Sequence, residues 1–142
     1  MRSFTLQISE MRIYLSLICF LITFGSHTFL YSQNQTIAGI YNAIISSDSK
    51  DLSTYFNKQL IVSIDENEYN CSKKQAEGII KKFFKNHKVQ KLVVIQQNTE
   101  EQSSYIICRY TTTNENFRLY VNLKTFNDEL KIFQIIIKNE NG

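Results

Sequence analysis

The hydrophobic pattern changes to a period of two after about residue 90, and this change constrains the fold more than any other feature of the sequence. Segments that alternate apolar and polar residues are typical of half-buried β-strands. Four segments have this pattern: LVVIQQ (92–97), SYIICRYTT (104–112), FRLYVNLK (117–124) and LKIFQIIIK (130–138). The segments 113–116 and 126–129 lie where tight hairpin turns belong. The sequence therefore predicts an antiparallel meander of four strands.

Pairing these strands through their turns predicts which residues share a face of the sheet. The inner face, which must meet the helices, is almost wholly apolar: Ile106, Cys108, Tyr110, Phe117, Leu119, Val121, Leu123, Ile132, Gln134 and Ile136. The outer face is mixed: Tyr105, Ile107, Arg109, Arg118, Tyr120, Asn122, Lys124, Lys131, Phe133, Ile135 and Ile137. A face that meets only water is mostly polar, so the aromatic and aliphatic content of the outer face indicates a partner.

Before the meander, the pattern mostly has the helical period. Residues 34–47 carry apolar side chains at spacings of three and four, and we predict a helix there. Asp48 or Ser49 can cap a second, short helix that reaches Tyr55 and Phe56.

A predicted strand pair and a third helix follow. Residues 60–64 and 68–71 are expected to form two short strands around a polar turn. Ser72 and Gln75 have the spacing of a capping box, so the third helix is predicted to start at Lys73. Its apolar face comprises Ala76, Ile79, Ile80, Phe83 and Phe84.

Four lysines group on the opposite side of this third helix: Lys74, Lys81, Lys85 and Lys88. We interpret them as the solvated face of a helix whose other face is core. The alternative is a basic stripe that contacts anionic envelope lipids or polysaccharide. Nucleic acid is not an expected partner, because no aromatic side chains interleave with the lysines and the formal net charge is only +3.

The N-terminal region predicts export. Arg12 precedes IYLSLICFLITFG, an apolar run of 13 residues, which suits a signal peptide and is short of the roughly 20 residues of a membrane span. We predict a signal peptide at 1–32, with Met11 as an alternative start and cleavage near Gln33; an uncleaved anchor is the alternative. The domain at 33–142 is then periplasmic or secreted, with no stable membrane span after processing.

Two cysteines remain after removal of the signal, Cys71 and Cys108, and an exported protein with two cysteines invites a disulfide. Cys71 ends the first strand pair at one edge of the predicted sheet, whereas Cys108 lies within a strand toward the other edge. Neighbouring strands are about 4.8 Å apart, and a disulfide needs Cα atoms within roughly 7 Å. We therefore predict that both thiols are free.

Three stretches resemble an uncharacterised family of small exported bacterial proteins, a domain of unknown function. They are DLSTYFNKQLIVSI (51–64), YNCSKKQAEGIIKKFF (69–84) and TTTNENFRLYVNLK (111–124). The matching positions are Tyr55, Phe56, Tyr69, Ser72, Lys73, Gln75, Ala76, Glu77, Ile79, Ile80, Phe117, Arg118, Leu119 and Tyr120. The resemblance covers most of residues 35–138. It implies export and an α+β fold of the cystatin-like, nuclear transport factor 2-like class, in which helices pack on a curved antiparallel sheet to form a cone. It implies no activity.

Enzymes of this fold class place a buried Asp, Glu or His in the cone between sheet and helices. The predicted inner face carries neither acid nor His, and the sequence has no phosphate loop, nucleophile elbow or metal-ligand cluster. His87 lies at a helix end, where a capping role is expected rather than catalysis. We expect no enzyme activity, no metal and no cofactor.

Two functions remain open. The first is an interaction module of the bacterial envelope that forms a homodimer or binds an envelope protein through the outer face. Its expected interface residues are Tyr105, Ile107, Arg109, Arg118, Tyr120, Phe133 and Ile135. The second is a cone that binds a small apolar ligand or a peptide, lined by Tyr41, Tyr55, Tyr110 and Gln134. These three tyrosines would otherwise simply fill the core, with their hydroxyl groups satisfied.

Overall fold

The computed structural model describes residues 35–100 and 103–140. The predictions for residues 1–34, namely the signal peptide, its alternative start and its cleavage site, lie outside these described residues.

Helices form where the chain supplies capping side chains. The helices are α1 (residues 35–45), α2 (Ser49–Thr54) and α3 (Lys73–Asn86). The Asp48 carboxylate accepts a hydrogen bond from the Asp51 amide at 2.9 Å and caps α2. Ser72 and Gln75 form the predicted capping box at the start of α3. The second helix ends earlier than predicted, because Phe56 already begins the first strand.

Six strands form one sheet. The strands are β1 (Phe56–Ile64), β2 (Asn67–Ser72), β3 (Lys91–Thr99), β4 (Ser103–Thr111), β5 (Asn116–Phe126) and β6 (Glu129–Asn139). Their order is β2-β1-β6-β5-β4-β3, so β2 and β3 are the edges. The predicted meander is confirmed, because β3 to β6 pair in sequence and antiparallel. The sheet is mixed rather than wholly antiparallel, because β1 pairs with β6 in the parallel direction.

The core lies between the inner face of the sheet and the helices. Ile40 and Ile44 of α1 are almost fully buried, as is Ile80 of α3. Aromatic rings close one end of the core: Phe83 lies 5.5 Å from Tyr110 between ring centroids and 5.2 Å from Phe117. Burial of each large apolar side chain contributes about 1.5–3 kcal/mol, so this packing fixes which side of α3 faces inward.

The predicted alternation of faces fails within β6. Asn122 of β5 pairs with Gln134, but the next residue, Leu123, pairs with Ile132, so Phe133 is an extra residue in β6. Such a β-bulge moves every later side chain to the opposite face. Ile135 is therefore in the core, 1 % exposed.

The face assignments for residues 134–137 were accordingly wrong. Ile135 and Ile137 are buried, whereas Gln134 and Ile136 lie on the outer face and are half-buried. The assignments elsewhere in β4 and β5 are confirmed, since their buried residues alternate as predicted.

The two cysteines are free, as predicted. Cys71 lies on β2 and Cys108 on β4, and both are buried. Three strands, β1, β6 and β5, lie between them. With a spacing of about 4.8 Å per strand, the two sulfur atoms are far beyond bonding distance.

The lysine face of α3 is exposed, and its opposite face carries the buried residues. Exposure is expected both of a solvated face and of a basic stripe that contacts anionic envelope components, so both interpretations stay predictions. No helix in the described part of the chain is long and apolar enough to cross a membrane.

Candidate interaction surface

A row of apolar side chains crosses the outer face of the sheet. Ile107 of β4 pairs with Tyr120 of β5, which pairs with Ile136 of β6, and Ser63 of β1 continues the row. The three larger side chains are half-buried. We call Ile107, Tyr120 and Ile136 the apolar row.

A second row lies one pleat further along the strands. Tyr105, Asn122, Gln134 and Ile61 are neighbours in register on β4, β5, β6 and β1. The Asn122 amide donates a hydrogen bond to Gln134 Oε1 at 2.9 Å. The Gln96 amide donates to the Tyr105 hydroxyl at 2.7 Å. This polar row presents oriented amides and hydroxyls beside the apolar row.

Cationic side chains flank one end of the two rows. Arg109, Arg118 and Lys138 are neighbours in register on β4, β5 and β6. Glu140 accepts hydrogen bonds from Arg109 Nε at 3.1 Å and from Arg118 Nε at 2.7 Å. The Arg118 hydrogen bonds, with a smaller contribution from Arg109, lower the pKa of Glu140 below its ordinary value. The arginines are thus held in place by a carboxylate that stays ionised.

Two lysines flank the other end of the rows. Lys124 of β5 pairs with Lys131 of β6. Lys131 Nζ lies 2.9 Å from Glu129 Oε2, and this contact lowers the pKa of Glu129. The apolar and polar rows are therefore bounded by basic residues at both ends. Acidic residues lie at the arginine end instead, where the exposed Asp65 and Glu66 form the turn between β1 and β2 beside Lys138.

Most of the predicted interface residues come together on this face. Tyr105, Ile107, Arg109, Arg118 and Tyr120 lie on it as predicted, and they occupy three adjacent rows. The bulge residue Phe133 is half-buried beside them. Ile135 is excluded, because its side chain is in the core on the other side of the sheet.

Sequence reasoning missed three members of this surface. Ile61 was missed because the parallel pairing of β1 with β6 leaves no local pattern in the sequence. Gln134 and Ile136 were assigned to the wrong face because of the bulge. The only local signal was the apolar run Ile135-Ile136-Ile137, which does not alternate and therefore fits either register.

The four residues predicted to line a cone do not form one site. Gln134 is on the opposite side of the sheet, bonded to Asn122. The Tyr41 hydroxyl donates to the Leu92 carbonyl oxygen at 3.1 Å, and the fully buried Tyr110 hydroxyl donates to the His87 carbonyl oxygen.

Tyr55, the fourth cone candidate, packs against α1. A Cβ at Gly39 would lie 2.1 Å from the Tyr55 hydroxyl oxygen, a separation that real side chains do not show. Glycine is therefore required at this position of α1 while Tyr55 keeps its orientation, and the tyrosine acts as part of the helix packing.

His87 is a capping residue, as predicted. It is the C-cap of α3, and its ring stacks on Phe83 with centroids 4.8 Å apart. Its Nδ1 lies 2.9 Å from Glu115 Oε2, and Glu115 Oε1 accepts a hydrogen bond from the Asn139 amide at 3.2 Å. This network ties the end of α3 to the β4–β5 turn and to β6. Among the described residues, no group of three or more His, Cys, Asp or Glu is arranged to hold a metal ion.

Comparison with known proteins places the chain in a family. Residues 37–138 match the family described as Domain of unknown function (DUF4783). The chain belongs to this family. The predicted family membership is therefore confirmed. Export stays a prediction.

Solved structures of the family are similar over nearly their whole length. A DUF4783 family protein from Bacteroides ovatus is 30 % identical, with a TM-score of 0.70 over 74 % of this chain and 96 % of that chain. One from Bacteroides uniformis is 28 % identical, with a TM-score of 0.71 over 74 % and 97 %.

More distant structures confirm the fold class alone. An NTF2-like protein of unknown function from Shewanella baltica is 9 % identical, with a TM-score of 0.61 over 81 % of this chain and 96 % of that chain. The predicted α+β, nuclear transport factor 2-like fold is thus confirmed. No curated protein matches the chain, so the function must be inferred from the site itself.

Proposed function

We propose that this domain is an exported, non-catalytic interaction module of the bacterial envelope that binds a protein partner through the outer face of its sheet. The observation that carries the proposal is the alignment, on one face, of the apolar row with a polar row between two basic ends. The helices pack on the opposite face, so the described residues leave these rows uncovered.

The composition of the outer face supports a protein partner. Aromatic residues and Arg are enriched at protein interfaces, whereas Lys and Glu are depleted at their centres. Tyr105 and Tyr120 lie at the centre of the surface, and the lysines lie at its ends. A half-buried aromatic centre with a charged rim is the arrangement that typical interfaces have.

The interior of the domain supports a non-catalytic role. The buried polar residues in the described part of the chain are the serines Ser49, Ser53, Ser63 and Ser104. The buried titratable groups among the described residues are the thiols of Cys71 and Cys108 and the hydroxyl of Tyr110, and burial raises the pKa of each, which is unfavourable for a general acid or base near neutral pH. The alternative of a small-ligand site gains no support from Tyr41 and Tyr110, because both hydroxyls bond to backbone carbonyls.

Export rests on the sequence of the N-terminal region. The apolar run after Arg12 and the polar junction near Gln33 are the supporting observations. In the periplasm or outside the cell, the partner is a second copy of the chain or another envelope protein.

Replacement of Tyr120 by Arg tests this proposal. A charge in the centre of the apolar row should abolish the association that is made through the outer face and leave the fold intact. Tyr69→Arg is the matched control, since Tyr69 is 44 % exposed on β2, at the sheet edge. Association is measured by sedimentation velocity and by native mass spectrometry of protein purified from its own envelope. If the wild-type chain is monomeric at high micromolar concentration and binds no envelope protein, the proposal fails.

A further inference from the structure

The two edges of the sheet differ in how they are protected. An edge strand presents unpaired backbone N–H and C=O groups, and proteins blunt such edges with short strands, charges or Pro. β2 has only 6 residues and carries the exposed Glu68 at its second position. β3 has 9 residues, and its one charged side chain is Lys91 at the first position. β3 is therefore the less protected edge.

Exposed apolar side chains concentrate in the middle of β3. Val93, Val94 and Ile95 are 41 %, 38 % and 44 % exposed. Val94 pairs with Cys108 and Gln96 pairs with Ile107, so Ile95 is an extra residue at a second bulge. Three consecutive apolar residues on an open edge are the feature that promotes pairing with another strand.

We propose that two copies of the chain pair antiparallel through β3, with the two-fold axis passing within Val93–Ile95. Backbone groups that face solvent at this edge would then bond across the axis. Val93 of one copy would lie opposite Ile95 of the other, so apolar side chains cover each other. The two six-stranded sheets become one continuous sheet.

The charges of β3 favour a second copy in this orientation. An antiparallel pair centred on Val94 places the two Lys91 side chains at opposite ends, each opposite the uncharged Gln97. Six residues of strand then separate them, about 20 Å, which exceeds the screening length of about 8–10 Å. A parallel pair would place the two lysines side by side. β3 contains no Asp or Glu, so no two carboxylates would repel each other across the pair.

The two-fold axis of such a pair is perpendicular to the sheet, so both outer faces lie on the same side. The dimer would present two copies of the apolar row in one plane. This inference does not depend on the proposed function of the outer face, because β3 pairing uses the edge of the sheet. A single pair of strands buries less than a standard interface, so dissociation at low concentration is expected.

Disulfide trapping across the axis tests the pairing directly. In the full chain with Cys19→Ser, Val94→Cys should form a covalent dimer under mild oxidation, because paired antiparallel residues lie about 4.5–5.5 Å apart. The native thiols are buried and do not compete. Tyr69→Cys is the matched control, since that residue lies on the other edge and is 44 % exposed, against 38 % for Val94. Covalent dimer is measured on non-reducing gels and by intact mass.

Charge substitution gives an independent result. Val94→Lys should make the chain monomeric in sedimentation velocity, whereas Tyr69→Lys and Tyr120→Arg should leave the dimer. Equal trapping of Val94→Cys and Tyr69→Cys, or a wild-type monomer at high micromolar concentration, would overturn the pairing. A dimer lost in Tyr120→Arg but kept in Val94→Lys would also overturn it while supporting the outer face. If Val94→Lys fails to fold, the ratio of covalent dimer formed by Val94→Cys to that formed by Tyr69→Cys decides between the outcomes.

Discussion

Asn122 donates a hydrogen bond to Gln134 at 2.9 Å across β5 and β6, and this pair is the last in register before the bulge. One residue further along β5, the partner becomes Ile132, and Phe133 is left over. The bond therefore lies at the point where β6 exchanges its inner and outer side chains, and it is on the outer face.

This exchange predicts losses of stability of very different size at two adjacent positions. Ile135→Ala removes side-chain volume from the core and should lower the free energy of unfolding by about 2–5 kcal/mol. Ile136→Ala, on the half-buried outer face, should cost about 1 kcal/mol or less. Urea denaturation of the two variants measures both values. Equal losses, or a larger loss at Ile136, would show that the bulge is misplaced.

The capping box of α3 gives a prediction about helix stability. Ser72→Ala leaves Gln75 N without its side-chain acceptor, and the loss should be about 1 kcal/mol. Lys74→Ala is the control, because Lys74 is an exposed residue of the same helix turn. The denaturant midpoints of the two variants are compared. The comparison requires that the free energy of unfolding falls with denaturant concentration at the same slope in both. A Ser72→Ala midpoint no lower than that of the control would contradict the capping role.

Alkaline pH should destabilise the fold through two buried groups. Burial raises the pKa of Cys108 from 9.0 to about 11 and that of Tyr110 from 10.0 to about 12. When the pH lies between the pKa of a group in the unfolded chain and its higher pKa in the native state, the unfolded chain has released a proton that the native state still binds. Stability contributed by these groups is therefore complete below pH 9 and falls as the pH rises toward 12.

Two variants isolate the contributions of these two groups to the decline. Cys108→Ala should remove the part of the decline between pH 9 and pH 11, and Tyr110→Phe the part between pH 10 and pH 12. The free energy of unfolding is measured against pH for each variant and for wild type. A variant whose pH profile runs parallel to that of the wild type would show that the replaced group keeps its ordinary pKa when folded.

The sequence was sufficient for most of this fold because its signals are local. The capping residues Asp48 and Ser72 and the alternation in β4 and β5 each depend on neighbours within a few positions. The pairing of β1 with β6 depends on residues about 75 positions apart, and nothing in either strand encodes it.

The errors at the candidate site have the same origin. A bulge is specified by how β6 must bend to pair with both β1 and β5, and Ile135 and Ile136 are too alike to show which one turns inward. The cone hypothesis depended on unsatisfied hydroxyls, and the backbone partner of Tyr110 comes from the loop after α3, which no sequence pattern places there.

Export predicts a defined mature N-terminus. A chain produced in a bacterial host with its N-terminal region intact should yield a product that starts close to Gln33, because the apolar run after Arg12 has the length of a signal peptide. Intact-mass measurement of the periplasmic and secreted fractions locates the cleavage site. A product in the membrane fraction that retains Cys19 would mean that the run is an uncleaved anchor.

The most direct measurement of the central claim, that the outer face binds a protein partner, is site-specific photo-crosslinking in the envelope of the producing cell. A photoreactive phenylalanine replaces Tyr120 in the apolar row or, as the control, Lys81 on the exposed face of α3. The predicted result is a defined protein adduct from position 120 and none from position 81. An adduct from position 81 alone, or none from position 120 with the variant folded and exported, would contradict the claim.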